Sequence, residues 1–164
     1  LDCILSKGAD DGNVPRTFLL SGPPGVGKTF SVSWAANVHK DTVLCSIRGS
    51  ELLQGSGSAA RSLELEFLKV VEAISMRSKR NNNNESAVAG LVFLDECDAL
   101  VSVESIAAML ADLLDRVSTN EDYRWKRIVV VGATNRIDSI PSFLRRAGRF
   151  DRELPMSPPS AETR

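Results

Sequence analysis

Three groups of residues have the types and spacing for phosphate chemistry. The first, Gly22-Pro23-Pro24-Gly25-Val26-Gly27-Lys28-Thr29, fits the phosphate-loop pattern G-x-x-x-x-G-K-[ST]. Glycines let successive backbone N–H groups turn inward and form a concave anion site. A helix opening near Gly27 and running through Phe30 aims its unpaired N–H groups and positive dipole end at the same point. Residues 22–30 are therefore candidate nucleotide-binding residues. Lys28 can reach the β- and γ-phosphates of ATP or ADP, and the Thr29 hydroxyl can ligate Mg²⁺. The second group is Asp95-Glu96, directly after the apolar run Leu91-Val92-Phe93-Leu94, with Asn135 at the end of a further apolar run. Asp95 is placed to hold Mg²⁺ through water, Glu96 to polarise an attacking water, and Asn135 to hold that water or sense the γ-phosphate. The third is Leu144-Arg145-Arg146-Ala147-Gly148-Arg149-Phe150-Asp151-Arg152. Guanidinium groups suit the charge that develops on a transferring phosphoryl group, and a neighbouring subunit can supply them.

Each group alone has a plainer reading. Strand-end acids cap turns, a strand-end asparagine is usually a turn residue, and arginines on a tight turn form a solvated edge. Asp98 is read as a turn cap or a minor member of the site. The three groups together, each at the end of a strand, favour the chemical reading.

The elements that must position these residues follow from hydrophobic pattern. Thr17–Leu20, Asp41–Ile47, Leu91–Leu94 and Ile128–Val131 read as strands, with a brief fifth over Arg152–Leu154. The continuous apolar run at 91–94 predicts a central strand buried on both faces. Phe30–Val38 reads as a helix without Gly or Pro. Leu63, Phe67, Val70, Val71 and Ile74 make one helical stripe, and Ile106, Met109, Leu110, Leu113, Leu114 and Val117 another. A short helix is expected over Ser139–Arg146 with Pro141 in its first turn, and polar loops over Gln54–Ser58 and Ser118–Lys126. Asn81–Asn84 reads as a low-complexity surface insertion, and Pro155–Arg164 as a linker or tail. Alternating strands and helices predict an α/β fold with a parallel sheet flanked on both faces, where ligands bind at the carboxyl ends of the strands.

At 164 residues the chain is long enough for one domain, assigned to 1–159 with 160–164 beginning a linker. A net charge of −1, with one dense basic run at Arg77–Arg80, disfavours a nucleic-acid partner. No run has the length of a membrane span. Cys3, Cys45 and Cys97 lack C-x-x-C spacing, which suits a reducing compartment, hence an intracellular, cytoplasmic or nuclear location. Cys45 reads as a buried thiol and His39, the one histidine, as a solvated helix-end residue.

GPPGVGKT, LVFLDE, GATN and LRRAGRFDRE, in this order and spacing, resemble the large nucleotide-binding subdomain of an AAA ATPase, from Pro15 to about Pro159. The GRFDRE ending is similar to that of the group around valosin-containing protein and its ribosome-biogenesis and spermatogenesis-associated relatives. The resemblance implies a P-loop NTPase three-layer sandwich with a five-stranded parallel sheet. It makes Lys28 and Thr29 the Walker A pair, Asp95 and Glu96 the Walker B pair and Asn135 the sensor-1 residue. Arg146 and Arg149 match the two arginine fingers that reach a neighbour's ATP. It further implies a homo- or hetero-oligomeric ring, usually a hexamer, that hydrolyses ATP to remodel or unfold protein substrates.

The chain departs from that pattern in three places. Gln54-Gly55-Ser56-Gly57 stands where the central-pore loop belongs but lacks its aromatic residue, and Leu100–Ser105 is short for the second pore loop. The helical lid with its sensor-2 arginine, and an upstream adenine-contacting segment, are missing from the sequence. A fragment of this kind is expected to bind nucleotide weakly and to form no stable ring alone. The rival from another class is a nucleotide-dependent assembly or adaptor module that threads nothing. A dinucleotide-binding oxidoreductase is disfavoured because the loop carries G-K-T rather than G-x-G-x-x-G.

Overall fold

The computed structural model describes residues 15–39, 41–55, 57–80, 88–119 and 121–158. In chain order, β1 is Thr17–Ser21, α1 Lys28–Val38, β2 Thr42–Arg48, α2 Gly49–Gln54, α3 Ala59–Arg80 and β3 Ala89–Asp95. Then come α4 at Cys97–Val101, α5 at Glu104–Thr119, α6 at Tyr123–Lys126, β4 at Ile128–Thr134, 3₁₀ turns at Ile137–Ser139 and Ser142–Leu144, and β5 at Arg152–Pro155. The five strands form one all-parallel sheet in the order β2-β3-β4-β1-β5. The expected α/β P-loop fold and its central strands are therefore present.

Strand periodicity explains the layers. Successive side chains point to opposite faces, so Leu19, Val92, Leu94, Ile128 and Val130 pack on one side with the stripes of α3 and α5. Phe18, Leu20, Leu91, Phe93, Val129 and Val131 pack on the other with Val32 and Ala35 of α1. Large side chains such as Phe67, Leu110 and Leu113 are fully enclosed on the first side, where truncating a leucine or phenylalanine to alanine costs roughly 2–5 kcal/mol. The second side is covered by the small residues of α1, which turns Phe30 (73 % exposed) and Trp34 (52 % exposed) outward.

The structure departs from the pattern-based elements at three places. Gly49–Gln54 is a helix, so the turn after β2 continues as ordered structure before the Gln54–Ser58 segment. Residues 118–126 are not all loop, because α5 runs to Thr119 and α6 adds a turn. The helix expected over 139–146 is instead two separate 3₁₀ turns. Pro141 explains the break: Ile140 before it is extended at ψ 118°, and Pro141 itself has ψ 140°, as the clash of a proline ring with the preceding residue requires. The link between α4 and α5 is only Ser102–Val103, consistent with the shortness read at 100–105. The asparagine run, Cys3 and the segment from 159 on lie outside the described residues.

Candidate nucleotide site

β1, β3 and β4 are neighbours in the sheet and end at the same edge, so the loops that follow them converge. After β1 the chain turns through the glycine-rich loop. Gly25 (φ 83°) and Gly27 (φ 92°) occupy the left-handed region that side chains disfavour. At Gly22 a Cβ would lie 2.2 Å from the Met156 carbonyl oxygen, so the loop passes β5 where only glycine fits. Gly27 caps α1, and its first helical hydrogen bond is Ser31 N–H to the Gly27 carbonyl, 2.8 Å. The N–H groups of Lys28, Thr29 and Phe30 therefore precede the first i→i−4 donor and are free to face an anion. The Phe30 ring points to solvent, leaving its backbone as its contribution. Pro23, Pro24 and Val26 complete the loop.

Lys28 is buried, and its Nζ donates to the carbonyls of Gly22 (2.7 Å) and Pro23 (2.9 Å) and to Asn135 Oδ1 (2.8 Å). Burial lowers its pKa from the ordinary lysine value, opposed by the charges of Asp95 and Asp98. Thr29 Oγ1 donates to Asp95 Oδ2 at 3.0 Å. Asp95 Oδ1 accepts from the Glu96 N–H at 3.0 Å. Glu96, with φ 53° and ψ 47°, is the non-glycine residue in the left-handed region among those described. That conformation is costly for a side-chain-bearing residue and is a mark of functional turns. Gly49 sits beneath it: a Cβ there would approach the Glu96 carbonyl oxygen to 2.6 Å.

The donor set suits a hard divalent cation. A hydroxyl and a carboxylate oxygen already within hydrogen-bonding distance are the ligands Mg²⁺ takes when phosphate oxygens and waters supply the rest. No cluster of three His, Cys, Asp or Glu that could hold a metal exists among the described residues, so a cation here would depend on the nucleotide for most of its shell.

The model for the ATPase family associated with various cellular activities (AAA) matches residues 18–158. The chain belongs to the AAA family. It is 38% identical over 161 residues to the human ATPase family gene 2 protein homolog B, covering 92% of this chain and 19% of that protein. It is 32% identical over 174 residues to the ribosome biogenesis ATPase RIX7 of Saccharomyces cerevisiae (99% and 18%). It is 35% identical over 164 residues to the human ATPase family AAA domain-containing protein 2 (92% and 10%). The chain thus spans less than a fifth of the length of these relatives. Membership of the AAA family carries nucleotide binding with it, and relatives named as ATPases support an ATPase activity in general.

The two arginines of the AAA chain's basic turn stand apart from this cluster. Arg149 Nε and Nη2 donate to the two oxygens of Asp115, each at 2.9 Å, and Nη1 donates to the Phe143 carbonyl at 2.9 Å. Its guanidinium also lies 5.7 Å from the Phe143 ring centre. Hydrogen bonding from Arg149 is the main cause that lowers the Asp115 pKa, against desolvation, with the charges of Arg149 and Arg146 adding. Arg149 thus rests on Asp115 near the end of α5, while Arg145 is paired with Glu153. The turn is anchored from below by Phe150, 2% exposed, which packs where a Cβ on Gly132 would come within 3.0 Å of its ring.

Three contributors escaped the sequence. Thr134 stood in the GATN motif without a role of its own, Asp115 is one polar residue beside a core stripe, and Gly49 looked like a strand terminator. Asp115 and Gly49 have no motif that announces them. Asp98, read as a turn cap or a minor member of the site, accepts a hydrogen bond from the Thr134 hydroxyl.

Proposed function

We propose that this AAA domain binds ATP with Mg²⁺ and hydrolyses it, and that it does so within a ring, usually a hexamer, to remodel or unfold protein substrates. The carrying observation is the junction of Lys28 with Asn135 and of Thr29 with Asp95, which ties the ends of β1, β3 and β4 into one polar cluster. Residues 22–30 cradle the phosphates, and Lys28 exchanges its carbonyl partners for phosphate oxygens. Thr29 and Asp95 hold Mg²⁺, which when bound neutralises phosphate charge. Glu96 and Asn135 orient a water. Its oxygen bonds to the γ-phosphorus as the bond to the bridging oxygen breaks, ADP leaves with that oxygen, and Glu96 takes the water's proton. Arg146 and Arg149 serve the site of the next protomer.

Assignment to the group around valosin-containing protein, an intracellular location and a domain spanning 1–159 belong to the same proposal, supported by the GRFDRE ending and by relatives such as a ribosome biogenesis ATPase. No helix among the described residues is long and apolar enough to cross a membrane. The absence of an aromatic in Gln54–Gly57 favours a second reading, an assembly or adaptor module that does not thread. Steady-state ATP turnover of the intact protein, with and without an unfolded protein, separates the two: stimulation supports remodelling, indifference supports the adaptor. Glu96→Gln is expected to retain ATP without turning it over; normal turnover in that variant removes Glu96 from its role.

A further inference from the structure

We infer that Asp98 is a positioning residue for hydrolysis, holding Asn135 against the Glu96 turn through the hydroxyl of Thr134. The inference rests on the ATPase reading above and deepens it.

The backbone register between β3 and β4 runs from Gly90–Ile128 to Leu94–Gly132. Past that pair the two chains part, and the residues that matter, Glu96 and Asn135, lie in the diverging segments. A side-chain link bridges them there. Thr134, 1% exposed, donates from Oγ1 to Asp98 Oδ1 at 2.8 Å and accepts from the Arg136 N–H at 2.9 Å. A hydroxyl has one proton to give, so this one is committed and its rotor is set. The Arg136 bond closes a small ring around Asn135, whose Oδ1 takes the Lys28 ammonium. On the other side Asp98 lies two residues from Glu96, in the turn closed by Ala99 N–H to the Glu96 carbonyl, 2.9 Å.

The result is a continuous path from Glu96 through Asp98, Thr134 and Asn135 to Lys28 and the phosphate loop. Asp98 lies in the first turn of α4, whose N-cap residue is Glu96 with no side-chain cap hydrogen bond. Its carboxylate is spent on the next strand. Two groups that aim one water must keep their spacing to a fraction of an ångström, and misplacement by about 1 Å costs roughly a hundredfold in rate.

The test is steady-state kinetics and equilibrium ATP binding on the intact protein. Asp98→Ala and Thr134→Val, the latter nearly isosteric, are each expected to lower kcat by roughly ten- to a hundredfold, with KM and the ATP Kd changed by less than about threefold. The double variant is expected to be no slower than the worse single one, because both remove the same link. Thr134→Ser, which keeps the hydroxyl, and Asp98→Asn, which keeps an acceptor oxygen, are expected to recover most of kcat. If the wild-type protein turns over ATP and both disruptive variants keep its kcat, or lose it additively without rescue, the inference falls alone. If the wild-type protein does not turn over ATP, the functional reading falls and takes the inference with it.

Discussion

The phosphate loop with its strand ends and the arginine turn behave as opposites. In the first, charged and polar groups find each other across strands: Lys28 with Asn135, Thr29 with Asp95, Thr134 with Asp98. These contacts converge on one point at the carboxyl edge of the central strands. In the second, Arg149 rests on Asp115 of α5 and Arg145 on Glu153 of β5, away from that point. The difference teaches where the protein can spend electrostatics internally. A central strand end is rigid and half-enclosed, so it holds a preorganised site. A turn beside the edge strand β5 holds Arg145 and Arg149 on carboxylates instead.

The largest break in that comparison should come from Lys28→Ala. Losing the buried ammonium is expected to weaken ATP binding about a hundredfold or more, as removal of one member of a charge-assisted contact does; calorimetric titration checks it. Next comes Arg149→Ala in the intact protein, expected to leave the ATP Kd within a few-fold while turnover drops by roughly 10³ or more, the scale of a trans arginine. An equal loss of binding would place Arg149 in its own chain's site and erase the contrast.

A smaller effect concerns the Asp115–Arg149 pair. The Asp115 pKa is lowered in the folded chain, chiefly by the Arg149 hydrogen bonds. Its contribution to stability is therefore present above the unfolded carboxylate value of about 3.9 and lost as pH falls through the lower folded value. Acid unfolding of Asp115→Asn should differ from wild type near neutrality and converge with it at the acid end. The difference should be slight, because the Asp115 side chain is half exposed and solvent screens it. Equal curves at every pH would mean the clamp contributes nothing.

The smallest effect is on the thiols. Burial pushes the Cys97 thiol up to about 12, and burial with the Glu66 charge pushes Cys45 up to about 11. The thiolate is the reactive form, so both should resist alkylation at pH 8 in the native state and react after denaturation, as peptide mass spectrometry would show. Fast native labelling of Cys97 would mean the Glu96 turn opens readily.

Much of the fold was legible because its signals are local. The run Leu91–Leu94 and the stripes of α3 and α5 name a central strand and two core-facing helices by period alone. Helix α2 and the two 3₁₀ turns were not legible. Gly49-Ser50 looks like a terminator, while its packing against the Glu96 backbone is a contact between residues 47 positions apart. Pro141 was compatible with a helix start, and only the extended Ile140 decided otherwise.

By itself the sequence determined that this chain carries a phosphate-loop pattern. The glycines and lysine of residues 22–29 are local chemistry, and Asp95, Glu96 and Asn135 are tied to it by their places at strand ends. Tertiary structure alone decided how those residues are joined: that Lys28 reaches Asn135, that Thr134 relays Asp98, and that Arg149 rests on Asp115. The physical reason is that a hydrogen bond between residues 36 or 107 apart depends on strand order and on where the β3–β4 ladder ends. Those are properties of the packed sheet, and no local pattern encodes them. The phosphate-loop pattern was readable; its link through Asn135, Thr134 and Asp98 to the turn at Glu96 emerges only from the fold.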